Sequence, residues 1–194
     1  MGSINRKLIR QKVLKSGAFR KRARNVAEKR FLTAKARLIS EFNSHPVTQE
    51  IDGGTTSNNT SQTLGGYGNL YTFIGFPGGN PTTGPRTAIE TLTSLSKRPV
   101  KKSRTTGKYV TLTFSVRYPS LMDMARVTPM PWEGGSWLVN IEEGISNFNH
   151  YLYKRWVGGR SGHGVQIEGT TSRTMDYTPT PYYKEMLSKF LLSI

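Results

Sequence analysis

Residues 17–46, GAFRKRARNVAEKRFLTAKARLISEFNSHP, decide how this chain must fold. Phe19, Ala23, Val26, Ala27, Phe31, Ala34, Leu38 and Phe42 recur at steps of three and four. That spacing predicts one amphipathic helix over 18–43 with a single apolar stripe. Arg20, Arg24, Arg30, Lys35 and Arg37 fall mainly off the stripe. Pro46 disfavours the α region for His45, so the helix must stop near Asn43-Ser44-His45. Upstream, Ile4, Leu8, Ile9 and Val13 predict a shorter basic helix at about 3–15, with Ser16-Gly17 as the break.

The charge is distributed as unevenly as the helices. The chain of 194 residues holds 28 Lys and Arg against 12 acids, a net +16. Residues 1–44 hold thirteen basic side chains and two acids, a net +11, which leaves +5 for the remaining 150 residues. The chain therefore divides into a basic helical arm, 1–44, and an α+β domain, 45–194. Such an asymmetry is the electrostatic footprint of a polyanionic partner. Arg6, Lys7, Arg10, Lys12, Lys15, Arg20, Lys21, Arg22 and Arg24 are the candidate contacts. Neutralising phosphates with them would release counterions and give salt-dependent binding without sequence preference.

Beyond the arm the signals shorten. Residues 52–68, rich in Gly, Ser, Thr and Asn, predict a flexible loop. Strand character follows at 69–76, then a turn at Pro77–Pro81. Gly84-Pro85 opens a helix whose buried side is Ala88, Ile89, Leu92 and Leu95. Residues 108–118 alternate Val110, Leu112, Phe114, Val116 and Tyr118 with polar residues and predict a strand, entered through a hairpin at Thr106-Gly107. A short helix is expected near 120–126, a loop at Gly158–Gly164 and a short strand at 165–167; residues 136–145 suit strand or helix and are read as a strand. The closing helix starts at Pro181, with Tyr183, Met186, Leu187, Phe190 and Leu191 as its stripe. The fold class is thus α+β: a small, mainly antiparallel sheet packed with a long N-terminal amphipathic helix and a C-terminal helix.

Catalytic chemistry finds few residues to use. With no cysteine the chain has no disulfide, no thiolate nucleophile and no Cys-based zinc site, and reads as one made in a reducing compartment. His45, before a proline at a helix end, is expected to cap. His163 lies in GGRSGHG, which lacks the Lys-Ser/Thr ending of a phosphate loop, and His150 sits among aromatics. No pair of histidines has metal-ligand spacing. Glu142 and Glu143 are adjacent and on a strand would face opposite ways. Asn59-Thr60-Ser61 matches a glycosylation sequon, but the basic N-terminus lacks the apolar core of a secretory signal and no run is long enough to span a membrane. No catalytic residue, metal or cofactor is assigned.

Four segments, taken in order, carry a resemblance: HPVTQEIDGG (45–54), SQTLGGYGNLYTFIGF (61–76), WLVNIEEGI (137–145) and TPTPYYKEML (178–187), with VTPMPW at 127–132. Behind a basic amphipathic helix, this order resembles the neck and tail-completion proteins of tailed bacteriophages, the head–tail joining family. Pro46-Val47-Thr48 stands where the family has Pro-Val-Asp-Thr, Glu143-Gly144-Ile145 near its Glu-Gly-Thr, and Pro181-Tyr182-Tyr183 at the start of its last helix. The resemblance implies a structural virion protein at the head–tail interface, made in the host cytoplasm. It would form a ring, six-fold or twelve-fold, with copies of itself, and join portal or adaptor to tail-tube or tail-terminator proteins. Packaged DNA is a possible further partner, and a membrane is not. Val47, Leu64, Tyr67, Leu70, Tyr71, Phe73, Phe76, Trp132 and Trp137 are the candidate subunit-interface residues. The alternative is a sequence-independent nucleic-acid-binding protein that uses the basic arm.

Overall fold

The computed structural model describes residues 6–64, 68–99, 104–106, 109–131, 135–143 and 180–194. Its first helices follow the stripe and break of the sequence: α1 spans Arg6–Lys15 and α2 spans Gly17–Ser44. At 28 residues α2 is about 42 Å long. Its stripe is buried only from Phe31 onward, at Phe31, Ala34, Leu38 and Phe42. The arm therefore ends inside α2 and not at residue 44, because the last four turns belong to the core.

Pro46 ends α2 and also starts a helix, since its fixed φ and missing N–H suit a first-turn position. Helix α3 is Pro46–Asp52, and His45 turns the corner in extended backbone, its Nδ1 accepting the Val47 N–H at 3.3 Å. The expected cap is thus real, and it serves α3. Val47 and Ile51 are fully buried. Helix α4, Leu70–Ile74, replaces the strand expected at 69–76. The reason is its brackets: Asn69 Oδ1 accepts the Thr72 N–H at 2.9 Å, and Gly75 closes the turn in the left-handed region at φ 79°. A single capped turn buries Leu70, Tyr71 and Ile74 on one side, which a two-residue alternation would not.

Helix α5, Thr83–Leu92, buries Pro85, Ala88 and Ile89, while Leu92 stays exposed. It meets α6, Leu121–Val127, so closely that a Cβ on Gly84 would lie 2.6 Å from the Val127 carbonyl oxygen. Ser120 and Asp123 form a reciprocal capping box at the head of α6. Helix α7, Trp137–Glu143, corrects the strand expected at 136–145: Trp137, Leu138 and Ile141 are buried, a helical spacing, and Ser136 Oγ accepts the Val139 N–H. Helix α8, Tyr183–Ser193, closes the core through Tyr183, Met186 and Phe190, with Leu191 exposed.

The strands are short and antiparallel. β1 (Ser94–Leu95) pairs with β4 (Val116–Arg117), and β2 (Arg104–Thr106) pairs with β3 (Tyr109–Thr111) as the expected hairpin. The long strand expected at 108–118 is interrupted, because only its two ends find ladder partners among the described residues. Its alternation survives: Leu112, Phe114 and Val116 are half-buried between exposed Thr111, Thr113, Ser115 and Arg117. The architecture is α+β, with a helical core and β-pairs at its flank. The loop expected at Gly158–Gly164 and the strand at 165–167 lie outside the described residues.

The segment after α3 is tied down where a flexible loop was expected. Glu50, fully buried, accepts the Ser61 N–H at 2.8 Å and the Leu70 N–H at 2.6 Å on its two carboxylate oxygens. Asn69 Nδ2 donates to the Thr55 and Ser57 carbonyls, and Asp52 takes the Thr82 hydroxyl and an Arg86 ion pair at 2.9 Å. One carboxylate thereby holds the middle and the far end of the crossing from α3 to α4. Glu50→Ala leaves a buried and a part-buried N–H group unpaired and should lower stability by about 2–4 kcal/mol, read as a lower urea midpoint at unchanged slope. A loss below about 0.5 kcal/mol would contradict this anchoring role.

His45 makes the α2–α3 corner sensitive to pH. Burial holds its imidazole below the ordinary 6.5, against the pull of Glu185, the Pro181 carbonyl and Glu41, while Lys189 adds to the lowering. The unfolded chain then binds more protons, so this contribution is complete above 6.5 and is lost as pH falls toward the depressed folded value. Protonation also removes the acceptor that Val47 uses. Melting temperature should fall between about pH 7 and pH 5, and His45→Asn, which keeps a capping acceptor, should flatten that fall. Superimposable pH profiles for the two proteins would rule the corner out as a titrating element.

Candidate polyanion and docking surface

The basic arm is built as a helix without a core. Residues 17–30 of α2 contain no buried side chain. They carry Arg20, Lys21, Arg22, Arg24, Lys29 and Arg30 against the single acid Glu28. Glu28 pairs with Arg24 at 3.8 Å across one turn, both half-exposed, a contact worth only a few tenths of a kcal/mol. No acid occupies the first turn of α1 or α2, so the positive end of each helix dipole faces cations. A bound polyanion would relieve both repulsions.

Most of the sequence-named polyanion candidates lie on this surface. Lys12, Lys15, Arg20, Lys21 and Arg22 are exposed and Arg24 is half-exposed. Arg6, Lys7 and Arg10 lie along α1. Farther along, the basic side chains are drawn into the fold: Lys35 Nζ donates to the Glu90 and Thr93 carbonyls at 2.6 and 2.9 Å, closing the C-terminal end of α5.

Beside the charge lies an apolar groove of about 470 Å³. One wall is α2, through Phe19, Ala23, Val26 and Ala27; the other is Leu95 with Leu112, Phe114 and Val116; Ile194 closes an end. Phe19, Ala23 and Ala27 are half-buried at four-residue steps, and Arg22 and Arg30 stand on the rim. The α2 stripe thus changes job along its length. It serves the core from Phe31 on and lines an open groove before it.

The interface residues named from sequence fare differently. Val47, Leu70, Tyr71, Phe76 and Trp137 are buried within the chain, which leaves them no surface for a neighbour. The Phe76 ring lies 5.3 Å from Tyr71 in a tilted contact and 6.0 Å from Trp137 edge-on. Leu64 and Phe73 are partly buried and pack on the same core. Tyr67 and Trp132 lie outside the described residues. These apolar residues looked unpartnered because their neighbours in sequence are polar, yet each capped turn aims them inward. The groove wall at 112–116 was visible as alternation, but nothing in the sequence set it opposite Phe19 and Ala23.

Glu142 Oε1 accepts the Lys184 N–H at 2.7 Å and Glu143 lies 3.6 Å from Lys184 Nζ, so both serve the α7–α8 junction. Lys189 Nζ bridges Glu41 and Glu185 at 2.8 Å each, joining α2 to α8. Those contacts hold the Lys189 ammonium well above its usual range and the Glu185 carboxyl below its own. Burial pushes the Tyr182 and Tyr183 phenols up; their hydroxyls hydrogen-bond with Thr48 at 2.6 Å and donate to the Pro119 carbonyl at 2.5 Å. Among the described residues no three His, Asp or Glu side chains gather as metal ligands, and no helix is long and apolar enough to cross a membrane. His150 and His163 lie outside the described residues. In comparisons with known proteins, no family model, curated protein or solved structure matched this chain.

Proposed function

We propose that the chain is a structural subunit of the head–tail junction of a tailed bacteriophage, a neck or tail-completion protein that assembles into a ring. In this reading its copies join portal or adaptor to tail-tube or tail-terminator proteins. The observation that carries the reading is α2 itself: its C-terminal half is built into the core, and its N-terminal half bears a basic face and has no fully buried side chain. An open apolar face beside a basic one suits a part that packs on a neighbouring subunit. The four sequence segments that resemble head–tail joining proteins support the same reading. The exposed Lys and Arg row would then face packaged DNA or an acidic surface of an adjoining ring.

The second reading, a sequence-independent nucleic-acid binder, rests on the same row of cations. It predicts tight binding of free DNA in dilute solution, with log K falling by about 0.9 per phosphate for each unit of log salt. The two readings separate on the particle. Quantitative mass spectrometry of purified virions should count about six or twelve copies of the chain against the portal ring, as a six-fold or twelve-fold closed ring predicts. Arg20, Lys21, Arg22 and Arg24 changed to Gln should leave melting unaltered and halt particle joining. Absence of the chain from mature virions would overturn the junction role.

A further inference from the structure

We propose that the groove between α2 and the 112–116 segment is a docking site for an acidic, apolar-faced helical segment of a partner protein. The floor is made by Ala23 and Ala27, two small side chains one turn apart on the open stripe of α2. Small residues let another backbone come close, and Phe19, Leu112, Phe114 and Val116 stand around them as walls. From Phe19 to Arg30 the α2 wall runs about 16 Å, the length of three helical turns. That geometry suits an amphipathic helix anchored by side chains at three- and four-residue steps.

Charge chooses the occupant. Arg22 and Arg30 rim the groove, no acid lines it, and six of the fourteen residues of α2 that precede the core are basic. A second copy bringing its own arm would meet repulsion, because residues 1–44 carry a net +11. A nucleic acid satisfies the cations but leaves the apolar floor wet. An acidic helix with an apolar face satisfies both, and the contact it makes with Ala23 and Ala27 supplies the packing that the N-terminal half of α2 lacks. The inference goes beyond the junction role and stands on the groove alone, so particle stoichiometry does not test it.

The test uses the full chain and a labelled synthetic peptide of about twelve residues, three helical turns, with Leu on one face and Glu on the other. A scrambled peptide of equal composition and an oligothymidylate serve as controls, with fluorescence anisotropy at about 150 mM salt, where charges beyond about 8 Å are screened. The amphipathic peptide should bind at least about tenfold more tightly than the scrambled one, a difference of about 1.4 kcal/mol. Ala27→Glu, which fills the floor with a charge, should remove that preference, and Arg22→Glu with Arg30→Glu, both exposed, should weaken binding while circular dichroism stays unchanged. Equal binding of the two peptides would overturn the proposal by showing charge attraction without a groove. So would binding of oligothymidylate alone.

Discussion

The packing of the C-terminal half of α2 against α8 and the residues just before it is the contact on which the rest depends. Phe31 meets Phe190 edge-on at 6.5 Å, and Phe42 lies 5.9 Å from the Tyr182 ring. Full burial of each such side chain contributes about 1.5–3 kcal/mol, so this seam joins the two ends of the chain through several large terms. Tyr182 also shares a hydrogen bond with the Thr48 hydroxyl and lies 4.7 Å from the His45 ring, which ties the seam to the corner where α2 becomes α3. From that corner Glu50 reaches α4, α4 presents Tyr71 to Phe76, and Phe76 in turn meets Trp137. A polar side chain thus sits at each change of direction, and the apolar ones fill the space those turns enclose.

The same seam explains what α2 does beyond the core. Among the described residues no side chain of α2 before Phe31 is fully buried, so its first fourteen residues are covered only along one side. Isolated helices of that length are marginal in water, and this one carries cations at the wrong end of its dipole. Half-buried Phe19, Ala23 and Ala27 gain partial cover from the 112–116 segment, which leaves the groove open along one side. The surface therefore combines charge and apolar contact along the first fourteen residues of α2.

How much of this could be read from sequence depended on the length over which each signal repeats. The stripe of α2 recurs over six turns, and the helices at Gly84-Pro85, at 120–126 and after Pro181 each carry a periodic apolar face with a start signal. Those elements were legible. Leu70–Ile74 and Trp137–Glu143 were not, because short runs rich in aromatic and branched residues suit strands by composition. Asn69 with Gly75, and Ser136 before Trp137, are the capping signals that decide otherwise. Glu50 was invisible as an anchor, since an isolated acid in a polar stretch says nothing about two amides eleven and twenty residues away. The exposed arm was legible from charge alone, whereas its end inside α2 needed the position of Phe190.

The central claim is that α2 is one helix with two environments, and amide hydrogen exchange along it in the isolated chain measures this directly. The account predicts that amides of residues 31–42 exchange only through near-global opening, while those of 17–30 exchange by local opening, faster by orders of magnitude. Uniform slow exchange from Gly17 to Phe42 would contradict it, because the N-terminal half would then already be packed and would have nothing left to offer a partner.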